Sequence, residues 1–183
     1  MAMTLYGYWR SSATYRVRIA MALKGLSYET RSVNLLKGDQ KADAFADVNP
    51  QKLLPTLVLE TGETLTQSMA ILEYLEVVYP DTPLLPSNLA EAAKARSFSM
   101  AIAADIHPIQ NISVFAHLKA EYAATTEQTQ AWAKHWMQSR FPALEQVAAN
   151  RTGQFLFGDA PGMAECCLIP QLYNARRFNV ELD

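Results

Sequence analysis

The feature that most constrains the fold is a strand-like segment that runs through two serines into an amphipathic helix. Thr4–Tyr8 predicts a strand, and Ser12–Gly25 predicts a helix with Gly25 at its C-terminal cap. Ser11 and Ser12 stand where an N-cap belongs, and the unpaired N–H groups and dipole of a helix start can hold an anion such as a thiolate. A serine that only caps a helix is the alternative interpretation. The predicted apolar face of this helix consists of Tyr15, Ile19, Leu23 and Leu26.

The chain divides into an alternating part and a helical part. Up to residue 80, strand and helix patterns alternate, which predicts an α/β domain with a mixed sheet. Residues 81–88 contain Pro83 and Pro86 and predict a stiff linker, and residues 89–183 predict an all-α domain. Further predicted elements of the first part are strands at Tyr28–Val33, Thr56–Leu59 and Thr64–Leu65 and helices at Gln40–Asp47 and Met69–Tyr79. Those of the second part are helices at Ala90–Lys119, Glu127–Ala149 and Met163–Phe178, with Pro108 and Pro142 expected to kink or interrupt the first two.

Composition narrows the classes of function. The chain has 183 residues and a net charge of −2, which allows a well-buried core and argues against nucleic acid as the main partner. No apolar run is long enough for a membrane span, and the first residues lead into a strand pattern without a secretory signal. Cys166 and Cys167 are adjacent and lack any metal-ligand or disulfide spacing. We therefore expect no metal site and a reducing, cytoplasmic location.

Two further sequence features could bind parts of a peptide ligand that carries a thiol. The Leu54-Pro55 bond precedes a predicted strand, and in its cis form it would expose the Leu54 backbone to a peptide ligand. Ser68 is predicted to cap the Met69–Tyr79 helix, whose N-terminus could receive a carboxylate. An ordinary trans proline and a plain cap are the alternatives. Together with Ser11, these features favour glutathione, which carries a thiol, a peptide backbone and a carboxylate.

Several short motifs, spread over essentially the whole chain, are specific in combination. They are Arg10-Ser11-Ser12 with Arg16–Ala20, Asn49–Lys52, Leu54–Leu57, Gln67-Ser68 with Ala70-Ile71, Asp105–Asn111, and Pro170-Gln171 with Ala175–Phe178. In this combination the sequence resembles the zeta class of glutathione transferases, and within that class the bacterial maleylacetoacetate isomerases. The resemblance implies a thioredoxin-like glutathione-binding domain over residues 1–80, an all-helical C-terminal domain and a homodimer.

The resemblance also implies a role for each matching residue. Ser11 would hydrogen-bond the glutathione sulfur and favour its thiolate, with Ser12 as a supporting neighbour. Arg10 and Arg177 would attract the carboxylates of a small dicarboxylate substrate. For His107, a purely structural role is as open as a contact with the cofactor. The implied glutathione-binding residues are Gln40, Leu54, Gln67, Ser68, His107, Gln110 and Asn111.

The implied activity is glutathione-dependent cis–trans isomerisation of maleylacetoacetate to fumarylacetoacetate, by reversible addition of the thiolate to the double bond. Maleylpyruvate isomerase is a rival favoured by Asp105–Ile109, although Gln110–Val114 lacks the added arginines associated with those enzymes. A general glutathione transferase or α-halo acid dehalogenase is a further alternative. A non-catalytic glutathione-binding protein of the same fold is another, and the presence of Ser11 argues against it.

Three features depart from the family pattern. Ala13 stands where many members carry cysteine, so we expect no essential thiol at this position. Gly162 stands where the family has the Thr or Ser of a capping box, which predicts a weaker helix start and lower stability, although Glu165 can still reach back. The chain stops at Asp183, before the final helices that members of the family usually carry.

Overall fold

A computed structural model describes residues 2–182 in two compact units, which meet in the sequence between Leu84 and Leu85. The first unit alternates strands with helices and the second is helical, in agreement with the predicted element types. The elements of the first unit are β1 (Thr4–Gly7), α1 (Ser12–Leu23), β2 (Glu29–Ser32), a 3-10 turn (Asp39–Lys41), α2 (Asp43–Ala46), β3 (Thr56–Val58), β4 (Thr64–Thr66) and α3 (Ser68–Val78). Those of the second unit are α4 (Leu89–Met100), α5 (Ile112–Tyr122), α6 (Thr126–Ala149) and α7 (Met163–Arg177).

The first unit is built on a mixed four-stranded sheet in the order β2-β1-β3-β4. β1 is parallel to β2 and antiparallel to β3, and β3 is antiparallel to β4. Leu5 and Leu57 are paired across β1 and β3, and neither side chain reaches solvent. The predicted mixed sheet is therefore confirmed, with its apolar centre on the two inner strands.

The buried face of α1 is not the predicted one. Tyr15, Ile19 and Leu23 are only half-buried. Small side chains dominate the buried face, and they let α1 approach α3, its main helical neighbour. The spacing of the large apolar residues therefore predicted a buried face that is only partly buried in the structure. The buried apolar residues of α1 are Ala13, Val17, Ala20 and Met21.

The long helix predicted over Ala90–Lys119 is wrong as a single element. After α4 the chain forms a π-helical segment at Ala101–Ile106 and a 3-10 turn at Pro108–Gln110 before α5 begins. Pro108 has no N–H to continue the helical bonds, so the predicted interruption at this residue is confirmed. Pro142, in contrast, lies inside α6, which continues past it, so an interruption at this residue is wrong and a kink there stays a prediction. Because proline has no N–H, the Gln138 carbonyl lacks its helical donor at position 142. Gln138 is exposed, so water can bind this carbonyl instead.

The start of α7 keeps the acidic half of a capping box. The two carboxylate oxygens of Glu165 accept the backbone N–H groups of Gly162 at 2.7 Å and Leu156 at 2.8 Å. Glu165 thus reaches back as predicted, while Gly162 has no side chain to complete the box. The lower stability expected from Gly162 stays a prediction.

Cys166 and Cys167 are buried in α7 and are not joined in a disulfide. Over residues 2–182 no cluster of His, Cys, Asp and Glu has the grouping of a metal site. None of the helices in that range is both long and apolar enough to cross a membrane.

Candidate active site

The strand register brings the predicted site residues of the first unit to one edge of the sheet. β1 ends at Gly7, before Ser11, and its Tyr6 is paired with Thr56, the first residue of β3. Thr56 is also paired with Thr66, the last residue of β4. Because the flanking segments leave the sheet at this edge, the starts of α1 and α3 and the turn before β3 lie side by side.

Ser11 is the N-cap of α1, as predicted. Its Oγ accepts the backbone N–H of Thr14 at 3.2 Å, and its own N–H donates to the Tyr8 carbonyl at 2.9 Å. A hydroxyl that accepts in a cap still has a proton to donate. The N–H groups of Ser12 and Ala13, in the first turn of α1, have no intrahelical partner and point out of the helix at its N-terminal end. The start of α1 therefore offers an O–H donor and a positive dipole end to an anion.

The turn before β3 presents an open backbone. The Leu54-Pro55 bond is cis, and among the residues that the structure describes neither the N–H nor the C=O of Leu54 bonds to another backbone group. Asn49 shapes this turn and is fully buried. Its Nδ2 donates to the Leu53 carbonyl and to Thr56 Oγ1, both at 2.9 Å, and its Oδ1 accepts the N–H of Gln51 at 2.9 Å.

We expect Asn49→Ala to destabilise the protein by about 2 kcal/mol, because it empties a fully buried position and removes three hydrogen bonds, one of them to the buried Thr56 hydroxyl. Glutathione affinity should fall as well, since Leu54 loses the support of the turn. Chemical denaturation and calorimetric titration with glutathione measure the two effects. Asn34→Ala is the matched control, because Asn34 makes the same kind of turn contacts to Leu36 and Lys37 in an exposed loop. Equal losses in the two variants would contradict the prediction.

Ser68 does not cap α3, so this part of the prediction is wrong. Gln67 occupies the cap position with φ 66°, and its side chain donates to Gln51 Oε1 at 2.9 Å instead of capping. Ser68 is the first helical residue and is buried, and its Oγ accepts NH1 of the buried Arg16 at 3.1 Å. The positive end of the α3 dipole, at Ser68, favours a carboxylate placed beside it. A left-handed backbone at a residue such as glutamine is unusual and recurs at ligand sites.

Gln40 and Arg10 complete the predicted residues of the first unit. Gln40 lies in the 3-10 turn after β2 and is 9% exposed. Its Oε1 is buried without a hydrogen-bond partner among residues 2–182, so it can accept a bond from a ligand. Arg10 lies directly before Ser11, with its guanidinium carbon 5.3 Å from the ring centre of Trp9.

In the second unit, a buried asparagine links two predicted site residues. Asn174 donates from Nδ2 to Gln110 Oε1 at 2.9 Å and accepts a hydrogen bond from NH1 of Arg177 at 3.0 Å. His107 lies between the π-helical segment and the 3-10 turn and is half-buried. Asn111 is the N-cap of α5, and its Oδ1 accepts the N–H of Ser113 at 3.2 Å. Gln110 and Arg177 are thus joined, whereas Asn111 has a capping role.

Three residues in these networks had no predicted role. Arg16 and Asn49 lay inside motifs that carried the resemblance, but nothing local indicates that their side chains are buried. Asn174 lies three residues before Arg177, which puts both on one side of α7. That spacing is the one signal by which the sequence could have identified it.

Comparison with known proteins agrees with this geometry. The profile of the glutathione S-transferase N-terminal domain matches residues 1–77. A maleylacetoacetate isomerase of Pseudomonas aeruginosa is 43% identical over 183 residues, which span 99% of this chain and 85% of the relative.

Two solved structures are similar over nearly the whole chain. One is a maleylpyruvate isomerase described as a bacterial glutathione S-transferase of the zeta class, with a TM-score of 0.94, 39% identity and coverage of 98% of this chain and 85% of the other. The second is a maleylacetoacetate isomerase of Methylobacterium extorquens with bound malonate and glutathione, with a TM-score of 0.93, 37% identity and coverage of 97% and 84%. The fold is therefore thioredoxin-like in the first unit and helical in the second, and the chain belongs to the zeta class of glutathione transferases.

Proposed function

We propose that this chain catalyses the glutathione-dependent cis–trans isomerisation of maleylacetoacetate to fumarylacetoacetate. The position of Ser11 carries the proposal, because its hydroxyl caps α1 and keeps a proton to donate at the positive end of the helix. The similarity to a maleylacetoacetate isomerase over 99% of the chain supports the choice of substrate.

The residues at the sheet edge fit the parts of glutathione. The open backbone of Leu54 suits the peptide part, and the start of α3 with Gln67 and Ser68 suits the γ-glutamyl carboxylate. The buried Oε1 of Gln40, which has no partner in the described part of the chain, suits an N–H donor of the ligand. The resemblance to the family also assigns Gln110, His107 and Asn111 to glutathione binding. We assign residues 1–80 as the glutathione-binding domain, 81–88 as a linker and 89–183 as the helical domain.

Bound glutathione supplies a thiolate that adds reversibly to the conjugated double bond, so that the bond can rotate. The protein has to keep that sulfur ionised at neutral pH, where a free thiol is mostly protonated. Ser11 donates a hydrogen bond to the charged form, and the dipole of α1 favours it as well; both effects lower the thiol pKa. Ser12 supports the helix start. Arg10 and Arg177 bind and orient the carboxylates of the substrate.

Maleylpyruvate is the second candidate substrate. The similar structure of a maleylpyruvate isomerase, with a TM-score of 0.94, favours it. The two substrates differ little in the acid groups that the arginines would meet. A general glutathione transferase or α-halo acid dehalogenase, or a binding protein without turnover, would bind glutathione but convert neither isomerase substrate in the test below.

We also infer a homodimer in a reducing cytoplasm. Cys166 and Cys167 are buried in α7 without a disulfide, which suits a compartment that keeps thiols reduced. The dimer rests on the resemblance to the family. Sedimentation of the purified chain measures its mass in solution.

Turnover of maleylacetoacetate by the purified chain, followed optically with and without glutathione, tests the proposal. We expect conversion that depends on glutathione and exceeds that of maleylpyruvate in parallel assays. Faster conversion of maleylpyruvate would assign the chain to the second candidate. Binding of glutathione without conversion of either substrate would overturn the isomerase function.

A further inference from the structure

In the second unit, one buried amide connects two residues of different segments. Asn174 is 6% exposed on α7, and Gln110, its partner 64 positions earlier in the chain, is 5% exposed in the turn before α5. The other partner, Arg177, lies one turn further along α7 and is exposed. Asn174 uses both its donor and its acceptor in these contacts, at 2.9 Å and 3.0 Å.

Hydrogen-bond chemistry fixes the direction of these contacts. A guanidinium only donates, so Asn174 must turn its oxygen to Arg177 and its nitrogen to Gln110. Gln110 must then accept with Oε1, which leaves its Nε2 as a donor. That Nε2 is buried and has no acceptor among residues 2–182. Because a buried donor without an acceptor is costly, this group suits a ligand oxygen.

Arg177 is held from a second side. Its guanidinium carbon lies 5.4 Å from the ring centre of Phe178, which in turn meets the ring of Phe115 on α5 edge to face at 5.9 Å. A long exposed side chain otherwise samples many rotamers, and ordering it costs entropy on binding. The contacts with Asn174 and Phe178 reduce that cost before any ligand arrives.

We propose that Asn174 is a positioning residue, which sets the Arg177 guanidinium for a substrate carboxylate and keeps Gln110 oriented as a hydrogen-bond donor. This inference rests on the proposed function, because it takes Arg177 as the residue that meets the carboxylate. Asn174 has no role among those that the resemblance implies, and it acts through its two neighbours.

A double-mutant cycle with malonate as the probe tests this inference. Malonate, a dicarboxylate, is titrated calorimetrically into protein saturated with glutathione, for Asn174→Leu, Arg177→Gln and the double variant. Each single change should weaken malonate binding about tenfold, the size expected for a hydrogen bond to a charged group. The double variant should be little weaker than Arg177→Gln alone, because Asn174 acts through that arginine. Independent effects that multiply to about a hundredfold, or an unchanged affinity in Asn174→Leu, would overturn the inference.

Two further variants separate positioning from folding and from charge. Asn174→Asp keeps the shape of the side chain but pairs its carboxylate with the Arg177 guanidinium and so competes with malonate, which should weaken malonate binding at least as much as Asn174→Leu does. Arg176→Gln removes the same charge from the neighbouring position, about 100° around the helix, and should leave malonate affinity unchanged.

Malonate binding is measured without turnover, so the two proposals can fail separately. A wild-type protein that binds malonate but converts no substrate would overturn the isomerase function and leave the role of Asn174 intact. A wild-type protein that does not bind malonate would overturn the role of Asn174. Normal malonate binding by Asn174→Asp would do the same.

Discussion

Ser11→Ala is expected to lower kcat/KM for maleylacetoacetate at pH 7 by about a hundredfold, the usual cost of losing one donor to a developing or fixed anion. The alanine cannot donate to the glutathione sulfur, so the pKa of the bound thiol rises toward that of a free thiol, about 8.5. The rate of the variant should therefore recover as the pH is raised, and its pH–rate profile should move to higher pH than that of the wild type. Glutathione affinity should change little, because the peptide and carboxylate contacts remain.

The same substitution also removes a helix cap, and a control is needed for that loss. Asn88→Ala removes the N-cap of α4, where Asn88 Oδ1 accepts the N–H groups of Ala90 and Glu91. Both variants should lose about 1 kcal/mol of unfolding free energy, but Asn88→Ala should keep its activity and its pH profile. Unchanged turnover in Ser11→Ala would remove Ser11 from the mechanism.

The start of α1 could be predicted because its determinants lie within four residues. The N-cap bond runs from Thr14 to Ser11, and the chain before it is a strand of matching pattern. The start of α3 depends instead on a partner 52 positions away, since Arg16 takes the Ser68 hydroxyl that local sequence assigned to capping. A local rule therefore identified Ser11 correctly and misassigned Ser68.

In the second unit, too, local sequence predicts some features and misses those that depend on distant residues. Pro108 interrupts the predicted helix for a covalent reason that any sequence reveals. The π-helical segment before it, Ala101–Ile106, is made of residues with ordinary helix preferences, and nothing local indicates that it departs from α-helical geometry. The hydrogen bond between Gln110 and Asn174, which also bonds to Arg177, joins residues 64 positions apart and depends on how α7 packs. The resemblance to the family identified Gln110 and Arg177 as site residues, whereas only the structure shows that Asn174 links them.

Lys24→Met is expected to destabilise the first unit by about 2 kcal/mol, because it removes the cation of an ion pair whose lysine is buried and whose glutamate is partly buried. The Lys24 side chain is 1% exposed, and its Nζ lies 3.0 Å from Glu76 Oε2. It also donates to the carbonyls of Tyr79 at 2.8 Å and Thr82 at 2.7 Å. In this way it joins the end of α1 to α3 and to the segment after it. Methionine fills the space but leaves the partly buried Glu76 carboxylate without its cation and the two carbonyls without the Lys24 donor.

Urea denaturation measures the loss, and hydrogen exchange locates it, with lower protection expected in α1 and α3. Lys94→Met is the matched control, because Lys94 pairs with Glu91 at 2.8 Å on an exposed helix face and such pairs contribute about 0.5 kcal/mol.

Adding Glu76→Gln to Lys24→Met should restore part of the stability. A neutral amide is less costly to bury than a charge and can still accept the N–H of Leu84, which donates to Glu76 Oε2 in the native protein. Equal losses for Lys24→Met and Lys94→Met would mean that solvent reaches the buried pair, and no recovery in the double variant would mean that the stranded charge is not the cause.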